Sequence, residues 1–100
     1  MNRMLLVAGS FALAIASSSA LAYTGQELEA GAKIKMSEAL VLASKARPGT
    51  VTDRELEREK GGSGLRYSFD VVSQGRTYEV GIDAMTGKVL ENAPEGKNPD

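Results

Sequence analysis

Leu65-Arg66-Tyr67-Ser68-Phe69-Asp70-Val71-Val72, then Ser73-Gln74-Gly75, then Arg76-Thr77-Tyr78-Glu79-Val80-Gly81-Ile82, is the stretch that decides the fold. Leu65, Tyr67, Phe69 and Val71 alternate strictly with Arg66, Ser68, Asp70 and Val72. After the turn, Tyr78, Val80 and Ile82 alternate with Thr77, Glu79 and Gly81. A period of two residues puts the apolar set on one side of a strand and the polar set on the other. Two such runs separated by a tight glycine-containing turn predict a β-hairpin with one apolar face. Tyr67, Phe69 and Tyr78 could be taken for an aromatic binding platform, but their spacing makes them core residues first. Their hydroxyls then need water or a polar partner near the sheet margin.

Upstream, Ala39, Leu42, Ala43 and Ala46 recur at i, i+3, i+4 and i+7, the stripe of a helix with one buried side. Ser37 stands at the N-cap position and Glu38 suits the positive end of the helix dipole. Lys45 and Arg47 suit the other end, and Pro48-Gly49 stops the element, predicting a helix over Ser37–Ala46. Before it, Tyr23–Lys35 is polar and rich in small residues, with a short helix over Gln26–Ala32 bracketed by Gly25 and Gly31.

Between the helix and the hairpin, Thr50–Lys60 reads two ways. Thr52-Asp53-Arg54-Glu55 has the spacing of a capping box and would open a solvated helix. As a strand, the same stretch puts Asp53, Glu55, Glu57 and Glu59 on one face and Arg54, Leu56, Arg58 and Lys60 on the other. One large apolar residue cannot anchor a helix on a core, but it can hold an edge strand whose charges discourage stray pairing; the strand is the expectation. Gly61-Gly62-Ser63-Gly64 is a connection and not a phosphate loop, because a strand follows it where a helix would have to. Past Ile82, Asp83 can accept backbone hydrogen bonds and Gly87 can take a positive φ, so Asp83, Thr86 and Gly87 form a structural turn. The calcium-loop alternative fails, since the positions that need oxygen ligands and the final Glu hold Met85, Gly87 and Pro94. Val89-Leu90 opens a last short strand, and Glu91–Asp100, with Pro94, Gly96 and Pro99, reads as a tail, disordered from residue 93 on.

The elements give an α+β fold: one main helix packed on a small antiparallel sheet of three to four strands. Their order, with Ala46-Arg47-Pro48-Gly49 closing the helix, a charged strand containing Glu55-Leu56-Glu57-Arg58-Glu59, a hairpin, and Val80-Gly81-Ile82-Asp83-Ala84-Met85-Thr86-Gly87-Lys88-Val89-Leu90, resembles the PepSY domain. That family's most recognisable segment is a strand ending in Asp, then x-x-Thr-Gly, a variable residue and an aliphatic pair. The resemblance runs from about Ile34 to Asn92. It implies a module of the type found in the propeptides of thermolysin-like secreted metallopeptidases and in exported and membrane-bound bacterial proteins, where binding or inhibition of peptidases is suspected. With no peptidase domain in this sequence, the implied action is in trans.

The 100-residue chain opens with a short basic start (Arg3), an uncharged run over Met4–Ala16, three serines and Ala20-Leu21-Ala22. This is the layout of a secretory signal peptide over residues 1–22, with cleavage after Ala22; an uncleaved anchor is the alternative. Fifteen of the 42 hydrophobic residues lie in that segment, leaving a thin core for the remaining 78. Cleavage would leave 11 basic and 13 acidic residues, a net charge of −2, with no basic excess to hold nucleic acid or an anionic membrane. Zero Cys and zero His remove thiol nucleophiles, disulfides, thiolate or imidazole metal sites and the usual general base. Serines and carboxylates occur without a spacing that selects a catalytic pair, so neither an enzyme nor a cofactor is expected. The expected function is an exported, periplasmic or secreted, non-catalytic module binding a protein or peptide, with a peptidase as the implied partner. A sheet edge accepts another chain through backbone hydrogen bonds, which makes Arg54, Glu55, Glu57 and Arg58 the candidate contacts. The acidic face of that strand could also loosely attract divalent cations, although a solvated face is the simpler reading. The other function is a structural, self-associating envelope protein, a homodimer reinforcing its small core.

Overall fold

The computed structural model of the chain describes residues 22–96; the expected signal peptide up to Leu21 lies outside them. A short 3-10 helix at Gln26–Gly31 leads to α1 (Met36–Ala46), followed by β1 (Thr50–Arg58), β2 (Leu65–Ser73), β3 (Arg76–Asp83) and β4 (Val89–Pro94). The four strands form one antiparallel sheet in the order β1-β2-β3-β4, and α1 packs across one face of it.

The hairpin obeys the alternation. Tyr67 stands opposite Ile82, Phe69 opposite Val80 and Val71 opposite Tyr78. The two-residue turn Gln74-Gly75 has both φ values positive, at 51° and 80°, the combination that matches the twist of the flanking strands. Leu56 and Leu65 continue the apolar face, and the alanines Ala39 and Ala43 let α1 approach it closely, both fully buried. Met36 completes the helical stripe three residues before Ala39 and is buried as well. The Tyr67 hydroxyl donates to the Ile34 carbonyl at 2.7 Å and that of Tyr23 to Glu29, so both phenols find the polar partners their burial requires. Tyr78 departs from the core expectation. It is half-buried at the end of the sheet, where the Arg47 guanidinium covers its ring 3.8 Å from the centroid.

Two boundaries differ from the sequence reading. The helix begins at Met36, with Lys35 and not Ser37 in the capping position. The Glu38 carboxylate reaches back to accept the Lys35 backbone N–H at 2.9 Å, which satisfies the helix start without a hydroxyl cap. At the other end, β4 runs through Pro94, beyond the point where the tail was expected at Glu91 or residue 93. Proline is tolerated there because β4 is an edge strand and its missing donor faces no neighbour. Asn92 gives that strand a second role. Its side-chain amide donates to the Ala46 carbonyl at 3.1 Å and its oxygen accepts from Arg47 Nε at 3.1 Å, which ties the helix C-terminus to the sheet edge. Asn92→Ala is expected to lower stability by about 1 kcal/mol in urea unfolding, since both bonds are solvent-exposed.

Candidate functional site: the edge strand and the open sheet face

β1 is an edge strand, as its charges suggested. The pairing of Leu56 with Tyr67, Arg54 with Phe69 and Arg58 with Leu65 puts Arg54 and Arg58 on the helix side, flanking Leu56, which is 2% exposed. Glu55 and Glu57 pair with Ser68 and Arg66 and belong to the opposite side. The four candidate contacts therefore share a strand but divide between two faces. Arg54, Glu55 and Glu57 are half-buried and Arg58 is exposed. A bulge at Thr52, between Val51 and Asp53, breaks the ladder near the start of the strand, a device that re-aims an edge.

The outer rim of β1 is not empty. Thr24 forms a parallel bridge with Glu55, and its carbonyl accepts the Leu56 N–H at 2.9 Å. Gly25 follows in the left-handed conformation at φ 86°, packed so closely that a Cβ would run into the Leu56 carbonyl oxygen. The segment leading into the 3-10 helix thus straps the middle of the edge and leaves the stretches around Arg54 and Arg58 beside it. A cleft lined by Tyr23, Thr24, Leu40, Ser44, Val51 and Arg54 opens between this strap, the helix flank and the bulged end of β1. Sequence reasoning missed the strap because a single backbone carbonyl bond has no side-chain signature.

The face of the sheet away from α1 carries a concentration of carboxylates. Asp53 stands opposite Asp70, and Asp70 opposite Glu79, so three acidic residues on three adjacent strands occupy one row. Glu55 and Glu91 lie in the next row. Burial first, then the carboxylates of Glu91, Asp70, Glu95 and Glu57, push the Glu79 carboxyl up to about 7. Asp70 is raised too, by burial and then by Glu95 and Asp53. Arg66, 9% exposed, answers part of this charge: it pairs with Glu91 at 3.2 Å and donates to the Lys60 carbonyl at 3.2 Å, while its Nε has no partner. Ser68 donates to Glu57 at 2.8 Å. The alternation Arg66, Ser68, Asp70 and Thr77, Glu79 was visible in the sequence, but the row appears only once the register aligns the strands. Among the described residues, no group of three or more Asp or Glu is arranged to hold a metal ion.

The Asp83–Lys88 turn is built as its residues suggested. Asp83, 2% exposed, accepts the N–H groups of Met85 at 2.8 Å and Thr86 at 3.1 Å on one oxygen and that of Ser63 at 2.6 Å on the other. Burial alone would raise this carboxyl, but those donors and the Ser63 side chain outweigh it and hold Asp83 below the usual carboxylate range. Gly87 has φ 82° and returns its N–H to the Asp83 carbonyl at 2.8 Å, and Thr86 Oγ1 accepts the Lys88 N–H at 3.2 Å. The carbonyl of Ala84 next door accepts the N–H groups of both Lys33 and Ile34. One aspartate turn therefore joins the glycine loop, the hairpin end and the segment entering α1. The model of the peptidase propeptide and YPEB domain, PepSY, matches residues 33–92, which spans the lead-in to α1, the whole hairpin and the Asp83–Gly87 turn.

The chain belongs to the PepSY family. The match covers the α+β unit up to the residue that ties β4 to the helix, so the PepSY domain and the described sheet-and-helix body nearly coincide. No curated protein and no solved structure matches the chain. No described helix of this PepSY protein is long and apolar enough to cross a membrane.

Proposed function

We propose that this PepSY protein is an exported, non-catalytic binding module that engages a peptidase, or a peptide-like segment of one, in trans. The match to the peptidase-propeptide family over residues 33–92 carries the reading. The edge position of β1 supports it, because an edge strand offers main-chain groups for which an extended segment can compete. Arg54, Glu55, Glu57 and Arg58 are the contacts we assign, with the two glutamates presented on the open face and the two arginines towards the helix side. A partner that added a strand along the whole of β1 would have to displace Thr24 from Leu56, so binding would compete with the strap.

The experiment is affinity capture of a thermolysin-like metallopeptidase on immobilised protein beginning at Tyr23, with inhibition read as loss of peptide hydrolysis. Glu55→Lys/Glu57→Lys is expected to weaken capture about ten-fold, since reversing two charges at a contact changes both attraction and register. Equal capture by the wild type and the double variant removes β1 from the contact surface, and no capture by either removes the peptidase reading.

A further inference from the structure

The carboxylate row on the open sheet face plays no part in the turn or the core, and its geometry is unusual for a structural surface. Like charges directly opposite one another on neighbouring strands destabilise the pairing, yet here Asp53, Asp70 and Glu79 follow one another across β1, β2 and β3. Ala93 completes the row on β4 and brings no counter-charge. The surrounding groups add to the strain. From β1 come Glu55 and Glu57, from β4 Glu91, and beyond its end Glu95, while α1 covers the other face. Arg66 is the one basic residue at the open-face strand positions, and it is engaged by Glu91 in the neighbouring row and by the Lys60 carbonyl rather than by Asp53, Asp70 or Glu79. The row ends beside the Thr52 bulge, where the ladder between β1 and β2 is already interrupted.

We propose that this row is a proton-operated latch on the edge strand: in neutral solution Glu79 holds a proton opposite Asp70, and its loss as pH rises adds a like charge to the row that already sets Asp70 against Asp53, which loosens β1 from β2 beside the bulge. A proton held on Glu79 takes one of the like charges out of the row. Removing it leaves the anionic carboxylates on strands roughly 5 Å apart. The strand that gives way is β1, because β2 and β3 are each held on both sides and β4, the other edge, brings the uncharged Ala93 to the row. The latch goes beyond partner binding and is independent of it.

The direction follows from linkage. Glu79 has a folded-state value raised above the ordinary 4.5, to about 7. The folded state therefore binds the extra proton, and stability is full below the ordinary glutamate range and lost as pH climbs through about 7. Between pH 6 and 8.5 the melting temperature of the protein beginning at Tyr23 is expected to fall by roughly 5 °C. Hydrogen exchange, expressed as protection factors to remove the intrinsic pH effect, should show a loss of roughly ten-fold confined to Thr50–Asp53 and Asp70–Val72. Glu79→Gln, which keeps the shape and removes the titration, should flatten both dependences, while Glu27→Gln on the exposed 3-10 helix should leave them as in the wild type. Carbon-13 titration of the wild-type carboxyls gives a readout that needs no variant to fold, with a Glu79 midpoint near 7 expected. A wild-type melting temperature that is level across this range, an unchanged slope in Glu79→Gln, or a Glu79 midpoint in the ordinary glutamate range would each overturn the latch.

Discussion

Asp83→Ala is expected to lower the unfolding free energy by about 3 kcal/mol, read as a shift of the urea midpoint by circular dichroism. The carboxylate it removes is the shared acceptor for the N–H groups of Ser63, Met85 and Thr86, and at 2% exposure water does not replace it without rearrangement. For a domain whose total stability is roughly 5 kcal/mol, that is most of the margin. Asp83→Asn separates the contributions. Its oxygen can still accept from Met85 and Thr86, but its amide nitrogen then faces the Ser63 N–H, so about half the loss is expected. The charge also sets an acid limit. Asp83 titrates below the ordinary aspartate value in the folded state, so its contribution is present above that value and disappears as pH falls through the lowered one. Wild type should therefore lose stability in acid more steeply than Asp83→Asn. Equal acid limbs would show that the turn draws nothing from the charge.

Leu56→Ala should be comparably damaging, at about 2–5 kcal/mol. Leu56 is the only large aliphatic residue between Thr52 and Lys60, and it is buried where β1 meets Tyr67 and the strap at Thr24. Truncation opens a cavity under the strand and removes the apolar contact that holds a highly charged segment on the sheet. The same change at Val41, 54% exposed on the outer side of α1, should alter stability by less than about 0.5 kcal/mol. Should Leu56→Ala unfold no more easily than Val41→Ala, β1 would have to be held by its ladder alone.

The particular residues show how far sequence reasoning reaches. The β2–β3 hairpin was legible because seven apolar side chains repeat at period two around a glycine turn, and both the strand pairing and its buried side follow from that. The Asp83–Gly87 turn was legible because side-chain acceptors and positive φ leave residue-specific traces. The start of α1 was displaced by one residue because two caps compete locally: Ser37 offers a hydroxyl, but Glu38 reaching back to the Lys35 N–H serves a donor two residues before Ser37. The reach of β4 to Pro94 was hidden by composition, since a proline and charged residues are compatible with an edge strand and with a tail alike. Of the candidate site, the strand and its charges could be read. The division of Arg54 and Arg58 from Glu55 and Glu57 followed from alternation once the strand reading held. The carboxylate row and the Thr24 strap depend on register between distant segments, which no local pattern encodes.

The Asn92 bond to the end of α1 links residues 46 apart in the chain. Helix, hairpin and last strand are thereby closed by one side chain on the far edge of the sheet. Without that side chain the β3–β4 ladder remains, but the hydrogen-bonded tie at the helix terminus is lost. The contact that finishes the helix is thus a long-range one, of the kind whose closure entropy slows folding.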